Sequence, residues 1–322
     1  MIGTYAYTGT GQGLDADAAW DYIRDGYLLS PRTVLKGRSK LQHIKLPALS
    51  IDQDKLSVKL QETLVEGMGQ IAGLRCPIMF SGGFDSMLMA LLARRSGAKV
   101  TGVTVQFDDF NPLTVAGAVQ FAGQVGIPHH IIHVKAVEFL SAVETLAGLT
   151  DEPMLDLDLA IVLAALKKYD ARIAGKLFIS GMGSDQWFGN EALEDKRGDL
   201  EVRLDWAIVN EKAHHQAAKA HGYEFVFPFL SAPMLALSAQ VPASLKKDKK
   251  LLRALALTNK IPDRGMKSEQ YQVPSIMRQT VIKTYGKRAW PSPVSTHCAD
   301  SRESDQKLRQ IILGLWLEKV KI

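Results

Sequence analysis

Over residues 54–71 the apolar side chains of Leu56, Val58, Leu60, Leu64, Val65, Met68 and Ile71 recur near helical spacing, and the pattern stops at Gly73. This predicts an amphipathic helix. Beyond it the period changes. Residues 77–80, 100–107, 130–134 and 177–180 are short apolar runs, and helical patterns cover 85–95, 116–125, 136–146 and 157–174. Short apolar strands alternating with helices predict an α/β fold, a parallel twisted sheet with helices on both faces and ligands at the carboxyl ends of its strands. From about residue 195 strands become scarce, and helical patterns over 200–221, 233–240, 250–257 and 305–320 predict a mostly helical C-terminal part. The stretch 260–293 holds Pro262, Pro274, Pro291 and Pro293 without a clean period and reads as loop-rich. The first 50 residues carry a helical pattern only around 18–28, with no obvious sheet. The expected organisation is a lead segment over 1–53, an α/β core over 54–195 and a helical region over 196–322.

Composition narrows the class. A chain of 322 residues with 46% hydrophobic and 23% charged side chains can bury a full core, which excludes disordered, collagen-like and coiled-coil classes. The longest apolar runs, 159–166 and 311–317, fall well below the roughly 18 residues of a membrane span, and no signal pattern opens the chain. A cytoplasmic protein without a membrane partner is expected. Cys76 and Cys298 are too few for a disulfide framework or a clustered zinc site and read as reduced thiols. The balance of 39 Lys+Arg against 34 Asp+Glu is only mildly basic. The run from Lys246 to Lys250 has no interleaved aromatics and reads as a solvated helix start, so nucleic acid is not an expected partner. His129, His130, His133, His214 and His215 lack acidic or cysteine companions at ligand spacing and read as structural.

The strongest local signal is Ser81-Gly82-Gly83-Phe84-Asp85-Ser86, between an apolar run and a helical one. Two glycines allow a tight turn with its N–H groups facing one concavity, the helix N-terminus adds partial positive charge, and two hydroxyls add donors. Such a loop suits a phosphate-like anion. A carboxylate at Asp85 beside that anion implies an intervening divalent cation, Mg2+. The bland alternative is a glycine turn with Asp85 as a helix cap.

This hexapeptide resembles the pyrophosphate-binding loop of the ATP pyrophosphatase superfamily; it lacks the Gly-Lys-Ser/Thr ending of a Walker A loop. Asp151-Glu152-Pro153-Met154-Leu155-Asp156 and Ser180-Gly181-Met182-Gly183-Ser184-Asp185-Gln186-Trp187-Phe188-Gly189 are similar, in order and spacing, to motifs of asparagine synthetases within that superfamily. The similarity continues through Phe227-Pro228-Phe229-Leu230, Val241-Pro242, Lys250-Leu251-Leu252-Arg253 and the Lys267 segment, and upstream through Tyr27 to Lys40, which resembles the linker entering the synthetase domain.

The resemblance implies an AMP-forming carbon–nitrogen ligase: a small-molecule or peptide carboxylate attacks the α phosphate of ATP, and ammonia or an amine then displaces AMP. Ser81, Gly82, Gly83, Asp85, Ser86, Gly181, Gly183, Ser184 and Asp185 would hold ATP and pyrophosphate, and Asp85 and Asp156 would hold Mg2+. Glu152 would act as base and Lys267 would face developing negative charge. Met182, Gln186 and Asn190 depart from the family motif, two of them removing carboxylates, as in relatives such as β-lactam and carbapenam synthetases that act on other substrates. Glu191 or Glu194 would be the second acid of such a site. The chain opens Met1-Ile2-Gly3, without the family's N-terminal cysteine nucleophile, so the expected enzyme lacks its own glutaminase and draws on free ammonia, another amine, a separate glutaminase or a biosynthetic partner. Two further readings are a tRNA-modifying enzyme of the superfamily and a non-catalytic nucleotide-binding partner subunit.

Overall fold

The computed structural model describes residues 3–8, 13–25, 28, 32–44, 55–108, 112–154, 156–189, 200–261, 272–288 and 304–320. Two antiparallel strands, β1 (Gly3–Thr8) and β2 (Ser39–Ile44), pair from Gly3 opposite Ile44 to Thr8 opposite Ser39 and bracket the helix α1 (Ala16–Asp25). This corrects the expectation of a lead without a sheet. β1 reads Gly-Thr-Tyr-Ala-Tyr-Thr, with no aliphatic alternation, and its partner lies a whole helix away in sequence, so neither strand announces itself locally.

The helix α2 (Leu56–Met68) buries Leu56, Leu60, Leu64 and Met68 along one stripe and leads into the main sheet. Its strands are β3 (Arg75–Met79), β4 (Lys99–Phe107), β5 (His129–Val134), β6 (Leu177–Ile179) and β7 (Glu224–Val226), all parallel, in the order β5-β4-β3-β6-β7. Cys76 to Ile78 and Val100 to Thr104 are buried without alternation, as strands covered on both faces must be. The connections are α3 (Phe84–Arg95), α4 (Pro112–Val125), then α5 (Ala136–Leu149), α6 (Leu157–Lys168) and α7 (Ala171–Ala174), then α8 (Ser184–Phe188) and α9 (Leu200–Lys219). From β3 the chain steps outward through β4 to β5. It then crosses back past β3 to β6 and proceeds outward to β7 on the other side. With right-handed crossovers, α3 and α4 cover one face and the returning helices the other. The direction of winding reverses between β3 and β6, and a crevice opens there at the carboxyl ends.

Helices dominate after β7: α10 (Ala232–Gln240), α11 (Ala243–Lys246), α12 (Lys250–Thr258), α13 (Gln272–Tyr285) and α14 (Ser304–Val320). Two expectations change. The run over 157–174 is two helices, because the Asp170 carboxylate accepts from Arg172 N and starts a new one. The stretch expected to be loop-rich contains α13, whose Pro274 sits in the first turn, where the N–H it lacks has no intrahelical partner anyway. No helix among the described residues is long and apolar enough to cross a membrane. Cys76 is a buried free thiol; Cys298 lies outside the described residues.

One polar contact ties the N-terminal hairpin to the core. Lys40 on β2 is 1% exposed, and its Nζ donates to Leu28 O at 2.7 Å and Glu152 Oε2 at 3.1 Å. Removing one member of a buried pair strands the other charge, a loss of about 3–5 kcal/mol. Lys40→Met should therefore lower urea-unfolding stability by that order, while Lys40→Met combined with Glu152→Gln should recover most of it. A single variant as stable as the parent would contradict this account of the pair.

Candidate active site

The Ser81–Ser86 loop leaves the end of β3 and turns at Gly82, whose φ of 77° falls in the left-handed region. Ser86 Oγ donates to Gly83 O at 2.8 Å and lies 3.3 Å from Ser81 Oγ, so the loop is braced from within. The Ser180–Asp185 loop leaves β6 in the same way. Gly183, with φ of 98°, is required there: a Cβ would stand 2.5 Å from Leu230 Cδ2. Asp85 and Asp185 thus begin two helices, α3 and α8, on either side of the reversal between β3 and β6.

Lys249 joins them. Its Nζ is 2.5 Å from Asp85 Oδ2, 2.7 Å from Asp185 Oδ1 and 3.3 Å from Ser184 Oγ, and it sits 5.2 Å from the centre of the Phe84 ring. Asp248 and Lys249 both have φ of 55°, a left-handed pair that projects this side chain into the site. Burial works against the lysine's charge, but Asp85 and then Asp185 outweigh it and hold the ammonium above its ordinary pKa. At Asp85 burial pushes the carboxyl up and Lys249 opposes that shift; at 2.5 Å from a protonated lysine the contact is an ion pair. Asp85 Oδ1 is buried with no hydrogen-bond partner. The expectation that residues 246–250 form a solvated helix start is therefore corrected, since Lys246 is buried and Lys249 is part of the site. A sequence signal stood beside it: the run abuts Lys250–Arg253, itself one of the matching motifs.

The cavity these loops open into has a volume of about 640 Å³. Ser81, Gly83, Asp85, Ser86, Gly181, Gly183, Ser184 and Asp185 line one end, and Met79, Phe80, Val103, Val105 and Phe107 form an apolar slot at the ends of β3 and β4. The rest of the lining is helical. Asp158, Ile161 and Val162 face it from α6, Trp206, Asn210 and His214 from α9 at four-residue spacing, and Met277 from α13. Asp156 also lines the cavity, and its side chain caps α6 by accepting from Leu159 N at 2.9 Å. Burial raises the Asp156 carboxyl; burial and Asp156 push Asp158 up to about 6, against His214 and Arg278. His214, read from sequence as structural, is on the wall, and burial pulls it down to about 4.

Glu152 is not brought to this cavity. It lines a separate space of about 60 Å³ with Tyr22, Lys40 and Asp205, divided from the larger one by Trp206 and Asn210, which border both. Lys267, Glu191 and Glu194 lie outside the described residues. Among the described residues no three His, Cys, Asp or Glu side chains form a ready-made metal cluster.

The shifts at the helical end set a pH response. A folded pKa near 4 for His214, against 6.5 for the free group, means the unfolded chain takes up the proton first. That stability is present above pH 6.5 and is lost as pH falls toward 4. Asp158 acts oppositely, binding its proton in the folded state from about 6 down to 3.8. The His214 Cε1–H resonance should accordingly stay in its neutral position down to pH 5, and a midpoint above 6 would contradict the burial argument.

Residues 62–214 match the asparagine synthase family model. A protein of Mycobacterium bovis provisionally named as a glutamine-hydrolyzing asparagine synthetase is 29% identical over 136 residues, covering 42% of this chain and 20% of that one. The chain thus aligns with about a fifth of that relative's length. The 7-cyano-7-deazaguanine synthase 1 of Sphingopyxis alaskensis is 32% identical over 62 residues, 19% of this chain and 28% of that one. Among solved structures, the U34-tRNA thiolase NcsA of Methanococcus maripaludis has a TM-score of 0.36 at 13% identity, covering 87% of this chain and 96% of that chain. NMN synthetase from Francisella tularensis has 0.33 at 12%, covering 75% and 98%. Both scores are too low to assign an architecture. The segment that matches the asparagine synthase family model, 62–214, carries β3 to β6 and both glycine loops.

Proposed function

We propose that this chain is an ATP-using synthetase that activates a carboxylate and passes the acyl group to ammonia or an amine. The observation that carries the reading is the meeting of two glycine loops at the reversal of the sheet, with Lys249 held between their carboxylates. In the first step a carboxylate oxygen bonds to the α phosphorus of ATP and the bond to the bridging oxygen of the β phosphate breaks, releasing pyrophosphate. In the second, the amine nitrogen bonds to the acyl carbon, the bond to AMP breaks and the nitrogen loses a proton.

The residues suit these demands. The Ser81–Ser86 loop offers hydroxyls and backbone N–H groups ahead of α3, a favourable setting for pyrophosphate. The apolar slot between the ends of β3 and β4 suits a purine base. The described lining bears four carboxylates, Asp85, Asp156, Asp158 and Asp185, and Lys249 alone bridges two of them. A polyanionic nucleotide therefore requires added positive charge, and the unpartnered buried oxygen of Asp85 fits a cation. Mg2+, held by Asp85 and Asp156, would supply charge neutralisation at the phosphates. Lys249 and Lys267 are the lysines we assign to the phosphates and to developing negative charge. Glu152, across Trp206 and Asn210, is our assignment for the amine's proton.

Incubation with ATP, Mg2+, an amine source and a panel of carboxylic acids should yield AMP and pyrophosphate; ADP as the nucleotide product would contradict the mechanism. Asp85→Ala should reduce AMP formation at least about 100-fold with its circular dichroism unchanged. Glu152→Gln should retain carboxylate-dependent ATP–pyrophosphate exchange yet lose amide formation, and loss of both in a folded variant would remove the proton-acceptor role.

A further inference from the structure

We propose that the helical end of the large cavity is a binding subsite for a cationic, hydrogen-bond-donating group, an ammonium or amidinium carried on an apolar body. We further infer that the acid this chain activates bears such a group at the end away from its reacting carboxylate. This second statement rests on the reading under Proposed function; the first does not.

The charged group of that wall is a carboxylate, and its described donors are neutral, the Trp206 indole N–H and the second N–H of the Asn210 amide. Asn210 Nδ2 donates to Trp206 O at 2.8 Å, which leaves its Oδ1 and that second N–H. His214 Nδ1 lies 2.9 Å from Asn210 O, and since a carbonyl only accepts, Nδ1 carries the proton and Nε2 presents a lone pair. The ring is 7% exposed, lines the cavity, and has no partner for Nε2 among the described residues. Its low pKa keeps Nε2 unprotonated at neutral pH. The Asp158 carboxylate, one turn before Ile161 and Val162, adds two more acceptors.

A carboxylate and an imidazole lone pair on a mostly apolar wall are unfavourable until a ligand or water supplies N–H groups to them. No lysine or arginine lies among the described lining residues. Among the described residues the cations nearby have carboxylate partners, Arg278 at 2.5 Å from Asp305 and Lys249 between the two loop carboxylates, and Arg278 acts on Asp158 only through space. A ligand carboxylate here would face the like charge of Asp158 and the His214 lone pair, with only the neutral N–H groups of Trp206 and Asn210 to receive it. Ile161, Val162, Trp206 and Met277 supply an apolar surround for a hydrocarbon body. The subsite thus discriminates against a dicarboxylic acid and in favour of an amino- or amidino-bearing one.

Benzylamine, benzyl alcohol and benzoate present one apolar body with three different heads. Calorimetric titration of the full chain at neutral pH, without ATP, should give benzylamine at least tenfold tighter than benzyl alcohol, with benzoate weaker still. The preference should collapse toward parity in Asp158→Asn, and His214→Phe should weaken benzylamine independently. Benzoate or benzyl alcohol binding as well as benzylamine, no benzylamine binding, or a preference unchanged in Asp158→Asn would each overturn the subsite. Under the ATP assay, 6-aminohexanoate should support more AMP release than adipate, and the reverse order would overturn the substrate assignment. Silence with every acid would count against the synthetase reading, and the benzylamine titration would still decide the subsite.

Discussion

The site depends on one electrostatic constraint, a single ammonium shared by two carboxylates from different loops. Asp85 and Asp185 each open a helix at the reversal of the sheet, and their mutual repulsion would drive the loops apart without Lys249. The lysine reaches them only because Asp248 and Lys249 adopt left-handed backbone angles, a conformation that costs non-glycine residues about 1–3 kcal/mol each and persists only where surroundings fix it. Those surroundings are present: Arg253 Nε donates to Asp248 O at 2.8 Å, and both Lys249 and Arg253 lie over the Phe84 ring. Local backbone strain is thus coupled to the packing of the Ser81–Ser86 loop.

The fold explains why these elements meet. A parallel sheet buried on both faces has one place where successive crossovers diverge, and here it falls between β3 and β6. The same divergence lets α6 and α9 descend onto the cavity from the far side, so one space has a loop-built end and a helix-built end of different chemistry. The first bears donors and a bridging cation. The second bears acceptors on an apolar wall. Behind it, Lys40 holds Glu152 in a small neighbouring space and ties the N-terminal hairpin into the core.

Much of this was legible from residue order. The strand and helix alternation over 54–195 follows from apolar runs broken by helical periods, and the two glycine loops announce themselves by Gly pairs between a strand and a helix. What escaped had physical reasons. β1 and β2 pair across a whole helix and have no aliphatic alternation, so their partnership is a tertiary fact. Lys249 looks like any lysine in a basic run until two left-handed residues aim it inward. His214 becomes informative only when α9 is seen to place Trp206, Asn210 and His214 on one face. Glu152 shows the converse, since its motif is legible but its ion pair with a lysine over 100 residues earlier is not.

On the proposed function Lys249 belongs to the nucleotide site and not merely to the scaffold around it. Calorimetric titration with Mg2+ and α,β-methylene-ATP tests it most directly, comparing the parent chain, Lys249→Met and Lys250→Met, whose lysine is the exposed neighbour. Lys250→Met should bind the analogue like the parent, and folded Lys249→Met should lose at least tenfold in affinity. Equal binding by all three proteins would contradict it.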